Sequence, residues 1–591
     1  MNITKRINSI LIAITLAIFI YILFILISSV GHGFDITDNS YYILAMQHQS
    51  EIYSTVRHDG YYNGLLLWLA NGSLAYTQLY GILVLIIVAF LFASELYKYT
   101  LYKFQEDYNT KEFFIFIFPI VISSLAYYRS FLLTPSYNWL ALIGTLLVVT
   151  FSLRIVTRKN INFDKWLTID YLLLSFAFNV AFMAKPSTAV VLLFISIIYI
   201  IYERKNINIK KVLSSVILLT LLIVGLQIIY LDGGFELYLT RLLEDMQRLS
   251  LVNNMTILER LKSMIFTLNS YIFEKFYISQ KHHLWYVVLV LMIFLYTIKT
   301  KKFEFNKNLF VLIIGVYLVL FLRYFQNHLG LIWLYYIEIL FVIIFLLNIL
   351  FFNTKIKLSS LFIIVILVNL YSFAYYFGTT NNVVRHMASS IVYVVASLVF
   401  ILHRFSRLTH SNYLLVLFNI FVALSVLILI NHANKHPYRL ITPISKQAHK
   451  VDILGGIYVD KVSKKYIEQL QKIKNKYAKN EQIYLIDMTG GSPGANVILE
   501  AGFFGQQWLS GGYKYSDKYV YRILKAYENT NKLKKSWILI APYGRRKLDN
   551  SILQKIGLNF PGDYKKVIEI RTAHRKEVQE LWIPINKLDM Y

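Results

Sequence analysis

Through residue 431 the chain alternates long apolar runs with short polar breaks, and from residue 432 the apolar runs stop. An α-helix rises about 1.5 Å per residue, so about 20 apolar residues carry it across the roughly 30 Å hydrocarbon core of a bilayer. Runs of this kind fall at 10–27, 77–96, 113–130, 138–153, 171–184, 188–202, 212–231, 284–298, 309–322, 331–352, 359–377, 391–402 and 413–430. They predict about 13 transmembrane helices. The first run follows Lys5 and Arg6 and reads as a signal anchor that stays in place, because it is longer than the apolar stretch of a cleaved leader.

The polar breaks carry a second pattern. Arg154, Arg158, Lys159 and Lys165 share one break, Arg204, Lys205, Lys210 and Lys211 another, and Lys299, Lys301, Lys302 and Lys307 a third. The intervening breaks hold Arg57, Arg129, Lys185, Arg323 and Arg385, about one each. Basic residues concentrate in short cytoplasmic loops, so this alternation predicts a cytoplasmic N-terminus. Outer loops follow at 31–75 and 232–283, and an odd number of spans leaves the C-terminal segment outside.

Residues 432–591 read as one domain of mixed α/β type. Helical periodicity covers 460–479, and 482–487 is a short apolar strand entering the turn Thr489-Gly490-Gly491-Ser492-Pro493-Gly494. Further strands are predicted at 537–541, 567–570 and 581–584, with a helix at 517–528. The turn has neither a Walker lysine nor a GxGxxG spacing, so it reads as an ordinary strand-to-helix connection.

Composition sharpens the class. With 57% hydrophobic and 16% charged residues, the chain is far from a soluble protein, and its bulk partner is the bilayer. A net charge of +27 would suggest nucleic acid in a soluble chain, but here the cations lie in interhelical breaks and the last quarter. Nucleic acid is therefore not expected as a partner. The absence of cysteine rules out disulfides, thiolate metal sites and a cysteine nucleophile.

Candidate chemistry gathers in the first outer loop, Gly33-Phe34-Asp35-Ile36-Thr37-Asp38-Asn39-Ser40-Tyr41-Tyr42, which places two carboxylates close to the membrane surface. Tyr41, Ala45, His48, Ile52 and Val56 recur at helical spacing and predict a helix along the interface, with Asp38 or Thr37 as its N-cap. A capping aspartate and a catalytic one look alike at this level.

The acidic loop and the many predicted spans together resemble the GT-C superfamily of membrane glycosyltransferases, which includes protein O-mannosyltransferases and lipid A aminoarabinose transferases. Several of its members follow the acidic motif with Lys-Pro-Pro and an apolar stretch containing tryptophan. This chain has His58-Asp59-Gly60-Tyr61-Tyr62-Asn63-Gly64 and then Leu65-Leu66-Leu67-Trp68, without the Lys-Pro-Pro. The fragments Leu133-Thr134-Pro135-Ser136-Tyr137-Asn138, Ala184-Lys185-Pro186-Ser187-Thr188 and Trp508-Leu509-Ser510-Gly511-Gly512-Tyr513 are similar to such enzymes too.

The resemblance implies a polytopic GT-C-like helical domain with an extracytoplasmic α/β domain. It implies transfer of a sugar from a polyprenyl-phosphate donor to a glycan, lipid or protein acceptor outside the cytoplasmic membrane, by inverting displacement. At the acidic pair this chain reads Asp38-Asn39, which makes Asp38 the candidate base and Asp35 the second carboxylate. Arg57, Lys185, Arg385, Arg323 and Tyr41 become candidates for the donor's phosphate or sugar. No cofactor is fixed, and a divalent Mg or Mn ion is left open, with its ligands unassigned. The alternative reading is a multi-pass transporter or lipid flippase for a cell-envelope precursor.

Overall fold

The structure is a computed structural model that describes residues 3–158, 164–203, 209–253, 259, 262, 358–377, 388–409, 412–479, 481–573 and 575–585. The expected spans at 284–298, 309–322 and 331–352, most of the expected outer loop 232–283, and Arg323 and Arg385 lie outside the described residues.

The described chain is mostly helical. Thirteen helices of the described residues precede the C-terminal domain: α1 (Ile3–Ser28), α2 (Asp38–His48), α3 (Asp59–Leu69), α4 (Leu74–Phe104), α5 (Thr110–Ser124), α6 (Tyr137–Arg158), α7 (Asp164–Ala184), α8 (Pro186–Tyr202), α9 (Ile209–Leu231), α10 (Phe235–Asn253), α11 (Leu358–Tyr376), α12 (Val392–Thr409) and α13 (Tyr413–Lys435). Six are long and apolar enough to cross a membrane by length and composition: α1, α4, α5 with its 3-10 continuation to Ser130, α6, α9 and α13. Shorter apolar helices run over Ile169–Ala184, Pro186–Tyr202, Ile364–Tyr376 and Val392–Arg404.

These helices pack as a bundle around buried aromatics such as Phe92, Tyr97 and Tyr393. Close approach needs small residues: a Cβ on Gly144 of α6 would lie 2.7 Å from the Ala181 nitrogen of α7. One end of the bundle is tied by ion pairs, Lys103–Glu203 at 2.8 Å and Arg154 and Arg158 on the buried Asp170 at 3.0 and 3.2 Å. Arg404 with Glu106 and Arg407 with Glu112 belong to the same end.

The other end carries the 31–75 loop and the C-terminal domain. That domain has an antiparallel ribbon of β1 (His449–Val451) and β2 (Ile457–Val459), which the sequence reading did not anticipate. Its main sheet has strand order β3-β4-β6-β5, from β3 (Leu485–Asp487), β4 (Trp537–Ile540), β5 (Tyr564–Arg571) and β6 (Val578–Pro584). The pair β3–β4, at one edge, is parallel and the remaining pairs are antiparallel. β3 and β4 are buried on both faces, which is why they read as unbroken apolar runs. The helix Lys461–Tyr477 packs Ile467 and Leu470 into one core, and Ser516–Lys525 packs Val520 and Leu524 into another.

The domain is joined to the bundle through backbone. Tyr458 of β2 donates to the Gly31 carbonyl at 2.8 Å and accepts from the Gly33 amide at 2.7 Å, extending the ribbon with the loop after α1. Leu74, at the start of α4, donates to the Leu454 carbonyl at 2.9 Å. Enclosure between bundle and domain corrects one expectation: α2 does not lie along an interface, because every residue from Asn39 to Met46 is buried.

Candidate functional site

Asp35 organises the start of α2. Its Oδ1 accepts from the Thr37 amide at 3.0 Å and the Thr37 hydroxyl at 2.7 Å, while Oδ2 accepts from the Asn39 amide at 3.3 Å. The Ser40 hydroxyl donates to the Asp35 carbonyl at 2.8 Å. Donors at a helix N-terminus need acceptors, and Asp35 supplies them from outside the helix. Thr37 makes no side-chain capping bond. Burial pushes the Asp35 carboxyl up to about 6, assisted by the nearby Asp38 charge and opposed by Thr37 and Arg439.

Relieved of capping, Asp38 turns toward Arg439. Its Oδ2 lies 3.0 Å from Arg439 Nη1, with 21% of the Asp38 side chain exposed. Arg439 follows the last helix of the bundle, sits in the left-handed region at φ +58°, and also donates to the Thr37 hydroxyl. Burial, then the nearby Asp38 charge, pushes the Tyr438 phenol above its ordinary value. The sequence reading did not select Arg439, because an arginine a few residues beyond a span normally reads as an interfacial anchor.

One turn along α2, a row of cations and rings begins. Arg57 donates to the Tyr41 hydroxyl, and its guanidinium lies 4.3 Å from the Tyr137 ring centre. Lys185 Nζ is 5.4 Å from the same ring, 5.0 Å from the Tyr375 ring and 3.5 Å from the Tyr375 carbonyl oxygen. In the other direction Tyr41 meets Trp508 at 6.0 Å, and Arg546 lies 5.4 Å over Trp508. Ring faces hold guanidinium and ammonium groups while leaving their N–H edges for other acceptors. Arg129, at the same end, donates to the Ser389 hydroxyl at 3.1 Å.

Lys185 is placed by the chain itself: it is the single residue between α7 and α8, and Pro186 starts α8 where a missing amide is tolerated. The helix α10 braces the far side of the loop. Asp232, just before it, pairs with buried His58 at 2.9 Å and with Arg241 at 3.2 Å, while Asp245 accepts from Thr55 at 3.3 Å. Arg522 of the C-terminal domain pairs with Glu244.

The glycine-rich turn joins this site by packing. Asp487 repeats the Asp35 arrangement, accepting from the Thr489 amide at 3.0 Å and the Ser492 amide at 2.9 Å, and burial pushes its carboxyl up to about 6. The Gly494 amide donates to the Ile36 carbonyl at 2.8 Å, and a Cβ there would stand 2.7 Å from Ile36 Cα. The turn leads from β3 into the short helix Gly494–Leu499, as a strand-to-helix connection does.

Of the residues selected from sequence, Asp35, Asp38, Tyr41, Arg57 and Lys185 are thus gathered at one end of the bundle. Among the described residues, no group of three or more His, Asp or Glu side chains converges as a metal site. Comparison with protein families, with curated proteins and with solved structures finds no match.

Proposed function

We propose that the protein is a GT-C-like glycosyltransferase that moves a sugar from a polyprenyl-phosphate donor to a hydroxyl acceptor outside the cytoplasmic membrane. The observation that carries this reading is the adjacency of Asp38 to the row Tyr41, Arg57, Tyr137 and Lys185. A base and a set of cations gathered in one small cluster are what a displacement at a phosphorylated anomeric carbon requires. The acceptor hydroxyl gives its proton to the Asp38 carboxylate as its oxygen bonds to the anomeric carbon. The bond to the phosphate breaks on the opposite face, which inverts the centre. Arg57 and Lys185 take the charge of the departing lipid phosphate, and the Tyr137 ring between them holds both cations in place.

The outward orientation is supported by the cations at the opposite end, where Lys103, Arg154, Arg158, Arg404 and Arg407 collect. Arg439 stands 3.0 Å from Asp38 Oδ2, where an acceptor hydroxyl would have to come, so catalysis on this reading includes a shift of Arg439 away from the carboxylate.

Purified protein incubated with radiolabelled polyprenyl-phosphate sugars tests the proposal. The expected result is release of polyprenyl phosphate and transfer of label by the native protein, and neither by Asp38→Asn. Movement of an intact labelled lipid across proteoliposomes, with no bond cleaved, overturns it in favour of a transporter.

A further inference from the structure

Two turns of the C-terminal domain meet beside the Asp38 site. The turn after β4 contains Tyr543, Gly544, Arg545, Arg546 and Lys547, and the β5–β6 hairpin contains Arg575 and Lys576. Glu577 clips them together: its Oε1 accepts from the Arg545 amide at 3.3 Å and lies 3.9 Å from Arg575 Nη1. Ala573 of the hairpin lines a cleft shared with Asp35 and Arg439. Arg546 is held over Trp508 and Tyr513, at 5.4 and 6.0 Å.

This crowding is built into the backbone. The Arg546 carbonyl sits so close to Gly490 and Gly511 that a Cβ on either would approach within 2.1 and 1.8 Å of it, so only glycines admit the turn there. Arg575 adopts φ +66°, in the left-handed region. Like charges gathered on a rigid frame repel, and Arg575 feels it: burial, then Arg546, lowers its proton affinity, Arg439 and Arg545 add to the effect, and Glu577 opposes it. Among the described residues Asp38 and Glu577 pair with these cations, and the buried Asp35 also acts on Arg439. Such an arrangement is relieved by an anion with more than one charge, which guanidinium edges hold in paired hydrogen bonds.

We propose that Arg439, Arg545, Arg546 and Arg575 form a binding site for a water-borne oligoanion, a chain bearing several phosphate or carboxylate groups. The recess favours this over a planar bilayer, since only 18% of the Arg439 side chain and 26% of the Arg575 side chain are exposed. On the glycosyltransferase reading, which this inference extends, the oligoanion is the acceptor. Its charge draws Arg439 off Asp38 and so frees the base when the acceptor arrives.

Binding can be measured without any transfer assay, so failure of the two proposals is distinguishable. The full-length protein in phosphatidylcholine nanodiscs is titrated with inorganic tripolyphosphate by calorimetry at rising salt. Affinity is expected to fall with salt, and the double variant R546Q/R575Q to bind at least about tenfold more weakly. Glu577→Gln, which removes an opposing charge, is expected to bind about threefold more tightly, a gain that misfolding cannot imitate. Lys464→Gln, on the helix Lys461–Tyr477, serves as the surface control and is expected to bind like the native protein. Unchanged affinity in both R546Q/R575Q and Glu577→Gln overturns the site. Loss of tripolyphosphate binding when the discs contain phosphatidylglycerol overturns it in favour of a lipid headgroup.

Discussion

Only two residues separate Asp35 from Asp38, yet Asp35 accepts hydrogen bonds from its own loop while Asp38 faces Arg439. The same residue type therefore orders its own loop at one position and pairs with a distant arginine at the other. Asp38→Asn keeps the shape and the length of the side chain but cannot take a proton. General-base help is worth about a hundredfold to ten-thousandfold, so on the proposed glycosyltransferase reading sugar transfer by Asp38→Asn should fall at least about a hundredfold with donor binding retained. A loss below about tenfold sinks the assignment. Asp35 makes a different prediction, about stability. Its folded-state value of about 6 lies above the ordinary 3.8, so the stability that it contributes is full below 3.8 and is lost as pH rises through 6. Between pH 5 and 7 that loss is about 1 kcal/mol. Thermal unfolding in detergent should show the native protein losing more stability from pH 5 to 7 than Asp35→Asn does, and equal pH dependence in the two would refute the burial argument. The sequence made both aspartates candidates, but their division of labour needed Thr37, Asn39 and Arg439 in place. Arg439 lies about 400 residues away along the chain, and no local spacing could have joined it to Asp38.

Elements were legible where one period dominated. Apolar runs of about 20 residues marked the helices α1, α4 and α6, and β3 and β4 were read from short apolar stretches because both of their faces are covered. The ribbon β1–β2 was not legible: three-residue strands such as His449–Val451 offer too little alternation to detect, and their pairing depends on the loop at Gly31 and Gly33. The helix α2 kept its helical period but not its expected setting, since a sequence period cannot say that both of its sides will be covered by protein. At Gly494 the C-terminal domain touches the loop 31–75, its amide donating to the Ile36 carbonyl at 2.8 Å. Gly494→Val would push a side chain against Ile36 Cα, at 2.7 Å, and Ser40 Oγ, at 2.8 Å. Overpacking of this kind costs about 1–3 kcal/mol. Thermal unfolding should begin at lower temperature in Gly494→Val, and transfer should fall with Asp38 itself untouched. A variant with native stability and native activity would show that the two loops do not need this contact.

For the whole molecule, polarity of the chain and polarity of charge agree. Helices α4, α6 and α8 all end at the face of the bundle where α7, α9 and α11 begin, and the ion pairs Lys103–Glu203 and Arg158–Asp170 tie that face. The opposite face carries the loop with Asp38 and, through the backbone bonds of Tyr458 and Leu454, the C-terminal domain. The two faces were legible in the sequence as an alternation of basic and nearly bare breaks, because charge asymmetry is a property of composition and needs no tertiary contact. The aromatic and cationic row was not, because Tyr137, Tyr375 and Trp508 come from distant parts of the chain. This arrangement makes a strict demand on any membrane that the protein enters: the first loop and the C-terminal domain share one side. The chain has no cysteine, so single-cysteine variants report one position each. Asn71 and Lys514 are exposed at the domain end, and Lys111 is exposed at the other. With a membrane-impermeant maleimide on intact cells, Asn71→Cys and Lys514→Cys should label together, and Lys111→Cys should label only after permeabilisation. Labelling of Asn71→Cys and Lys514→Cys from opposite sides would break the backbone junction at Tyr458, and labelling of all three without permeabilisation would remove the charge argument for which end faces out.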